Sequence, residues 1–534
     1  MGSRKSKFKI KISKNIFSRR FIVILLLVFQ VILLGVSFLM LTQYIHYVYI
    51  VNLIISFILV VYIVNRQESP EFKIAWLTFM CLLPIFGILY YLYIELSPKW
   101  KEKAIKVQKL IHDTAYLLDG DKKVFNKAAN EMPEKAGLLN FLQKNGPYPV
   151  YNETYVTYYS EGEKGFEAIK TALKSAESYI FMEYFAVAPG RLLDEIVEIL
   201  IERADSGVEV RFMYDGFSHT KTLPDDFPVR LKEMGILVNV FEPLNPFLST
   251  DQNYRDHRKI TVVDGKVAFT GGFNLGDEYV NFTHPFGHWK DVVVKLNGDA
   301  VKTFVVLFLQ NWHLEGNKQK DIWEDYIATA TATDIETDIE TDTDINRLEN
   351  NEKGFAAPYA DSPNIPNEIG ETVYIDILNQ AKEYVWIMSP YLILGSVILK
   401  AIAYAGKRGV DVKIIIPHIP DKKIPFLIAR SFYPELMNAG VKIYEYTPGF
   451  VHAKIFVSDG SIATVGSYNV DSRSFYLNYE VGVWLAHCPA VKNIADDYRK
   501  TLLECQEMKL SDYKGLPASS RIAGKVLRIF GPLM

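Results

Sequence analysis

Cysteine is nearly missing from this chain: three residues in 534, at positions 81, 488 and 505. No CxxC pair and no Cys/His ligand spacing occurs, which argues against a disulfide framework and a zinc site. Excess charge of one sign is missing too. The net charge is −3 on 59 basic and 62 acidic residues, so no global field marks a nucleic-acid partner. No EF-hand spacing accompanies the many aspartates of "ATATATDIETDIETDTDIN" (328–346), and the segment has too little apolar content to build a core. It reads as an acidic, Thr-rich linker or insertion within 326–354.

What is present is unevenly placed. Residues 1–20 hold eight Lys or Arg and no acid. They are followed by uncharged apolar runs at 21–41 and 44–64 and a third at 75–94. A span needs about 20 apolar residues; a cleavable signal peptide has a shorter apolar core and a small-residue cleavage site. "MGSRKS" fits an acylation pattern, but one acyl chain adds little to a chain that already spans. The basic N-terminus belongs in the cytoplasm, so two crossings return the chain there near Arg66 and Lys73. Lysine-rich "SPKWKEKAIKVQK" (97–109) also belongs inside, which conflicts with a third crossing. Two spans plus an apolar segment that dips in and returns, bending at Pro84 and Gly87, resolves the conflict. The alternative is a third span, with the remainder outside.

Beyond a connector at 97–136, the chain repeats itself. "YIFMEYF", "VEVRFMYD" and "VNVFEP" alternate with amphipathic helices in one copy, and "YVWIMSPY", "VDVKIIIP" and "VKIYEYTP" do so in the other. This alternation predicts two homologous α/β halves, 137–325 and 355–505, each with a mostly parallel sheet covered by helices. The tail, 506–534, ends in a basic, apolar stretch that suits either a membrane surface or a docked helix.

Each half contains a polar hairpin, "DHRKITVVDGKVAFTGGFN" (256–274) and "VHAKIFVSDGSIATVGSYN" (451–469). His257, Lys259, Asp264, Gly271 and Asn274 recur 195 positions later as His452, Lys454, Asp459, Gly466 and Asn469. Asp-Gly between apolar runs signals a two-residue turn. That turn would set His257 opposite Gly272 and Lys259 opposite Thr270, with His452 opposite Ser467. His, Lys and Asn then converge over an open floor, a suitable cradle for a phosphate. One copy alone is explained by a solvated strand entrance. Two copies in register, amid diverged neighbours, are not. Asp264 and Asp459 belong to the pattern, but turn chemistry gives them a structural part.

Both hairpins match His-x-Lys-(x)4-Asp-(x)6-Gly-(Gly/Ser)-x-Asn, the paired signature of the phospholipase D superfamily. With "FGHWKD" (286–291), "RSFYLNYE" (473–480) and the apolar N-terminus, the chain resembles the bacterial cardiolipin synthases over nearly its whole length, the 328–346 insert excepted. The resemblance implies two phospholipase D-like halves sharing one active site, behind N-terminal transmembrane helices. It implies a multi-pass membrane enzyme, its halves on the cytoplasmic side, turning two phosphatidylglycerols into cardiolipin and glycerol. The catalytic set would be His257, Lys259, Asp264, His452, Lys454 and Asp459, with Asn274, Asn469 and both lysines on the phosphate. Asp291 would orient the first histidine and Glu480 the second. No metal, cofactor or nucleic acid is implied. By analogy His257 is the nucleophile, forming a phosphatidyl-histidine, and His452 the acid/base. The rival reading is a membrane phospholipase D that releases phosphatidic acid by passing the same intermediate to water.

Overall fold

The computed structural model describes residues 28–32, 35–36, 45–95, 98–243, 253–314, 321–328, 353–363 and 367–533. The expected basic N-terminus, most of the 21–41 segment and all of the 328–346 insert except Ala328 lie outside these residues. The chain divides into two compact units, one of Met1–Lys103, Leu244–Asn253 and Ile529–Met534, the other of Ala104–Pro243 and Tyr254–Arg528.

In the first unit, Ile45–Asn65 is a helix without Asp, Glu, Lys or Arg, and much of its apolar surface is exposed, Phe57 at 67%. Over its described residues alone, no helix is long and apolar enough to cross a membrane. The third apolar segment is not one helix but two, Pro70–Leu82 and Pro84–Glu95. Leu83 leaves helical geometry (φ −133°, ψ 72°), and Pro84 cannot donate the next backbone hydrogen bond. The helices fold onto each other: Trp76 meets Tyr91 edge to face at 5.3 Å, and a Cβ on Gly87 would lie 2.8 Å from the Met80 Cα. Arg66, just past the first helix, pairs with Glu95 at the end of the last.

The second unit is built on two large sheets. One runs Thr154–Tyr159, Val293–Gly298, Val267–Gly271, Lys259–Val263, Tyr179–Tyr184, Glu209–Asp215, Leu237–Phe241. The other repeats the plan as Phe355–Asp361, Asn478–Ala486, Ile462–Gly466, Ile455–Ser458, Tyr384–Met388, Asp411–Pro417, Lys442–Tyr446, and adds Cys505–Met508 at its edge. The sheets are mixed rather than mostly parallel. Along the main run of each sheet the parallel pairs are those joined through helices, such as Tyr179–Tyr184 with Glu209–Asp215, while the polar hairpin and its outer neighbours pair antiparallel. A tight hairpin can only join antiparallel strands, and each half devotes its central pairing to one. Helix Val301–Leu314 is buried on all sides from Thr303 to Trp312. Two of its buried amides are satisfied: Asn311 donates to Glu183 at 2.7 Å and Gln310 to Thr114 at 2.9 Å. Phe181, Phe308 and Trp312 share one core with Tyr359 and Trp484, so the halves bury apolar surface jointly.

Candidate active site

Two successive left-handed residues, Asp264 (φ 52°) and Gly265 (φ 66°), turn the first hairpin, and Asp459 (φ 50°) and Gly460 (φ 65°) the second. The links are one residue longer than expected. Val263 pairs with Val267 and Ser458 with Ile462, with Lys266 and Ser461 closing the turns on Val263 and Ser458. The expected register is therefore corrected by one position, because a third residue is needed to rejoin the ladder after the turn. Asp264 and Asp459 point away from the histidines. Asp264 accepts the backbone N–H groups of Glu177, Ser178 and Tyr179 at 2.7–2.8 Å. Asp459 accepts those of Lys382, Glu383 and Tyr384 at 2.8–2.9 Å. Each carboxylate thus anchors the start of the neighbouring strand.

The histidines meet because each half reaches into the other. Arg255–Asp256 pairs in parallel with Asn478–Tyr479, and the His257 N–H donates to Tyr479 at 2.9 Å. Gly449–Val451 pairs in parallel with His288–Lys290, and the His452 N–H donates to Lys290 at 2.8 Å. The next residues on those receiving strands are Glu480 and Asp291. So Glu480 contacts Nδ1 of His257 at 2.9 Å, and Asp291 contacts Nδ1 of His452 at 2.7 Å. The expected assignment of Asp291 to the first histidine and Glu480 to the second is reversed, since strand pairing across the halves delivers each acid to the other half's imidazole. Both Nε2 atoms are left for a substrate.

The floors differ for a physical reason. A Cβ at Gly272 would sit 2.1 Å from Asp291 Oδ1 and 2.7 Å from the His452 carbonyl, so only glycine fits there. At the matching place in the second half, Ser467 donates to Glu480, which also receives Asn478 at 3.2 Å. Lys259 and Lys454 each donate to the carbonyl of their own histidine, at 2.5 and 2.6 Å. Asn274 accepts from the Ala186 N–H at 3.0 Å and donates to Tyr279, whose ring meets His452 edge to face at 5.3 Å. The buried Asn469 Oδ1 has no partner among the described residues.

Burial, helped by the charges of Lys259 and Lys454, pushes His257 well below the ordinary imidazole range. Burial and Lys454 push His452 down to about 3, although Asp291 pulls it up. Burial lowers Lys259 to about 7 and Lys454 to about 8. Burial lifts Glu480 to about 7, against the pull of Lys259 and of donors such as Ser467 and Asn478. It also acts upward on Asp291, but contact with His452 and the Lys454 charge outweigh it, and Asp291 ends below its ordinary value. Asp291 is thus the firmer carboxylate of the two. An ionised Asp291 requires the proton of a neutral His452 on Nδ1 and leaves Nε2 basic.

Two features escaped the sequence reading. Asn478 lies two residues before Glu480 on one strand, hence on the same face, a period-two signal that was available in "LNYE". Lys422, whose charge also bears on His257, immediately precedes a helix and has no counterpart in the repeated pattern.

A family model described as "Cardiolipin synthase, PLD-like domain" matches residues 169–297 and 374–502, and one described as "Phospholipase D-nuclease N-terminal" matches 54–94. A Streptococcus mutans protein described only as uncharacterized is 40% identical over 89% of this chain and 99% of its own. The cardiolipin synthase of Alkalihalophilus pseudofirmus is 32% identical over 89% of this chain and 91% of its own, and that of Geobacillus kaustophilus 33% over 90% and 92%. Among solved structures, phosphatidylserine synthase of Haemophilus influenzae superposes with a TM-score of 0.52 at 14% identity, covering 75% of this chain and 98% of its own. That likeness is one of fold.

Proposed function

The chain belongs to the bacterial cardiolipin synthases of the phospholipase D superfamily, and from that premise we propose that its paired histidines transfer a phosphatidyl group from one phosphatidylglycerol to another. His257 Nε2 attacks the phosphorus, a P–N bond forms, and the P–O bond to glycerol breaks. The bound phosphodiester anion, opposite Asp291, brings a second proton onto His452, and Nε2 gives that proton to the departing glycerol oxygen. The glycerol hydroxyl of a second phosphatidylglycerol then loses its proton to His452 and attacks, the P–N bond breaks, and His257 is restored. Cardiolipin and glycerol leave, and no water is consumed. Splitting one displacement into two is the advantage of the covalent route. Lys259, Lys454, Asn274 and Asn469 face the phosphoryl oxygens, where fixed donors stabilise charge that develops in the transition state.

The observation that carries this reading is the crossed pairing of His257 with Glu480 and His452 with Asp291, which fixes both imidazoles with Nε2 outward. The acids support this order of roles. Asp291 offers His452 a full charge, which suits an imidazole that must carry a second proton. Glu480 divides itself among His257, Ser467 and Asn478, and leaves His257 the neutral nucleophile.

The first unit would hold the enzyme in the bilayer: a cytoplasmic 1–20, spans at 21–41 and 44–64, and 75–94 as a re-entrant helical hairpin. The Arg66–Glu95 pair supports this reading, since it sets the exit of the second span level with the end of the hairpin. The connector at 97–136 and both halves, 137–325 and 355–505, then lie on the cytoplasmic side, with 326–354 as a linker and 506–534 as the tail.

The test is to incubate the purified protein with phosphatidylglycerol in liposomes and resolve lipid and water-soluble products, with His257→Ala alongside. Cardiolipin and glycerol should appear together and vanish in the variant. Phosphatidic acid and glycerol without cardiolipin would make the protein a phospholipase.

A further inference from the structure

Helix Ala518–Phe530 is docked and exposed at once. One face packs on helix Lys423–Asn438: a Cβ on Gly524 would lie 2.5 Å from the Leu427 carbonyl, and Arg528 sits 3.8 Å over Phe432 while bonding Glu435 at 3.2 Å. The opposite face presents Ile522 and Val526, 62% and 51% exposed, beside exposed Lys525. No acidic residue follows Asp512. Such a face, apolar with a basic margin, suits an anionic membrane surface.

Where this helix begins, it closes a cavity of about 200 Å³ against Leu427, Arg430, Ser431 and Tyr513, with Ser520 and Arg521 on its own side. Arg430 is already committed, bonding both oxygens of Glu445 at 2.9–3.0 Å. Arg521 is not: its Nε is buried without a hydrogen-bond partner, and it forms no ion pair among the described residues. Tyr513, only 6% exposed, likewise has an unpartnered hydroxyl. Buried donors are nearly always satisfied in native proteins. Two orphans on one basic cavity, beside the unpaired N–H groups of a helix's first turn, are an anion site in all but occupant.

We propose that this cavity is a second lipid site, which takes the phosphate of an anionic phospholipid headgroup while Ile522 and Val526 enter the apolar layer of the same bilayer. Arg521 and Tyr513 are its direct donors, and Lys525 supplies field from outside. The site is separate from the histidines. It rests on the proposed function only in that the enzyme meets phosphatidylglycerol in a membrane, and it would stand if the acceptor were water.

The experiment uses full-length His257→Ala protein, which does not turn lipid over, in non-ionic detergent. Phosphatidylglycerol retained per chain is counted by native mass spectrometry, with Arg521→Gln or Tyr513→Phe added. Each second substitution should remove one adduct and weaken that binding step at least tenfold. Tyr513→Phe keeps the cavity wall, so it remains informative if Arg521→Gln folds poorly. Inorganic phosphate in a parallel titration separates the two sources of the anion. Displacement of the adduct by millimolar phosphate would reassign the cavity to the free ion and overturn the lipid. Equal adducts in all three chains would overturn the site.

Discussion

The crossed pairing makes a prediction that the alternative, each acid serving its own half, reverses. The perturbation is Asp291→Asn and, separately, Glu480→Gln. Each amide keeps the shape of its acid but loses the charge that stabilises an imidazolium. Asp291 meets His452 at 2.7 Å in a fully buried setting. A hydrogen bond to a charged group is worth about 1.5–3 kcal/mol, or roughly 10- to 150-fold in rate. A wrong tautomer raises the loss toward the ~10⁴-fold seen when the carboxylate of a catalytic His–Asp pair becomes an amide. The assay compares phosphatidylglycerol with a phosphatidyl ester of p-nitrophenol, whose leaving group departs without a proton. If His452 is the acid, His452→Ala and Asp291→Asn lose activity on phosphatidylglycerol but recover initial nitrophenol release. His257→Ala and Glu480→Gln recover neither. Even if the histidine roles were exchanged, Asp291 should still behave like His452 and Glu480 like His257. Rescue of Glu480→Gln together with His452→Ala would refute the crossed arrangement.

Gly272→Ala should abolish activity and lower Tm, because its Cβ would fall 2.1 Å from the Asp291 carboxylate and 2.7 Å from the backbone carbonyl of His452; turnover with a thermal melt checks it. Ser467→Ala removes only one donor to Glu480 and should cost about 1.5–3 kcal/mol of transition-state stabilisation at most, read as kcat/KM. Asp459→Ala strips the acceptor from three backbone N–H groups and should lower Tm sharply, with turnover per folded molecule retained. The pH dependence follows from His452, pushed down to about 3 when folded. The unfolded imidazole takes its proton near pH 6.5, the folded one does not, and stability is lost as pH falls below 6.5, by at most about 1.4 kcal/mol per unit. Between pH 7 and 4.5, Tm should therefore fall more steeply in the wild type than in His452→Gln; parallel curves would contradict the buried, neutral imidazole.

Much of this was legible in the sequence, and the misses have a common cause. The repeat of His, Lys, Asp, Gly and Asn at one offset exposes both hairpins, and the apolar strands and amphipathic helices between them expose two α/β halves. These are local signals, carried by periodicity and turn chemistry. The register slipped because Asp-Gly announces a turn without stating its length: Lys266 and Ser461 close three-residue links that composition does not distinguish from two-residue ones. The partners of the histidines are reversed because the resemblance assigned each acid to the histidine of its own half, whereas Tyr479 and Lys290, through their backbone carbonyls, bring in the acid of the other. Pairing between distant strands leaves no mark on either strand alone.

That exchange also explains why a duplicated chain would keep both signatures while most of its sequence drifts. A half that merely supported its twin could lose His or Lys and still fold. Here neither half is complete: His257 depends on Glu480 for its tautomer, and His452 on Asp291. Each floor matches the acid above it. Beneath Asp291 the floor is bare glycine, because the short carboxylate occupies the space of a Cβ. Facing the longer Glu480 there is a serine whose hydroxyl bonds that carboxylate. Exchanging the acids alone, Asp291→Glu with Glu480→Asp, should therefore fail. The lengthened side chain at position 291 would be forced over Gly272 without a donor, and the shortened one at position 480 would not reach Ser467. Gly272→Ser cannot supply that donor, since its Cβ would also fall 2.7 Å from the backbone carbonyl of His452, so adding it with Ser467→Gly should not return the lost kcat. A double variant as active as the wild type would show that the acids and floors are independent, and the coupling drawn from their geometry would fall.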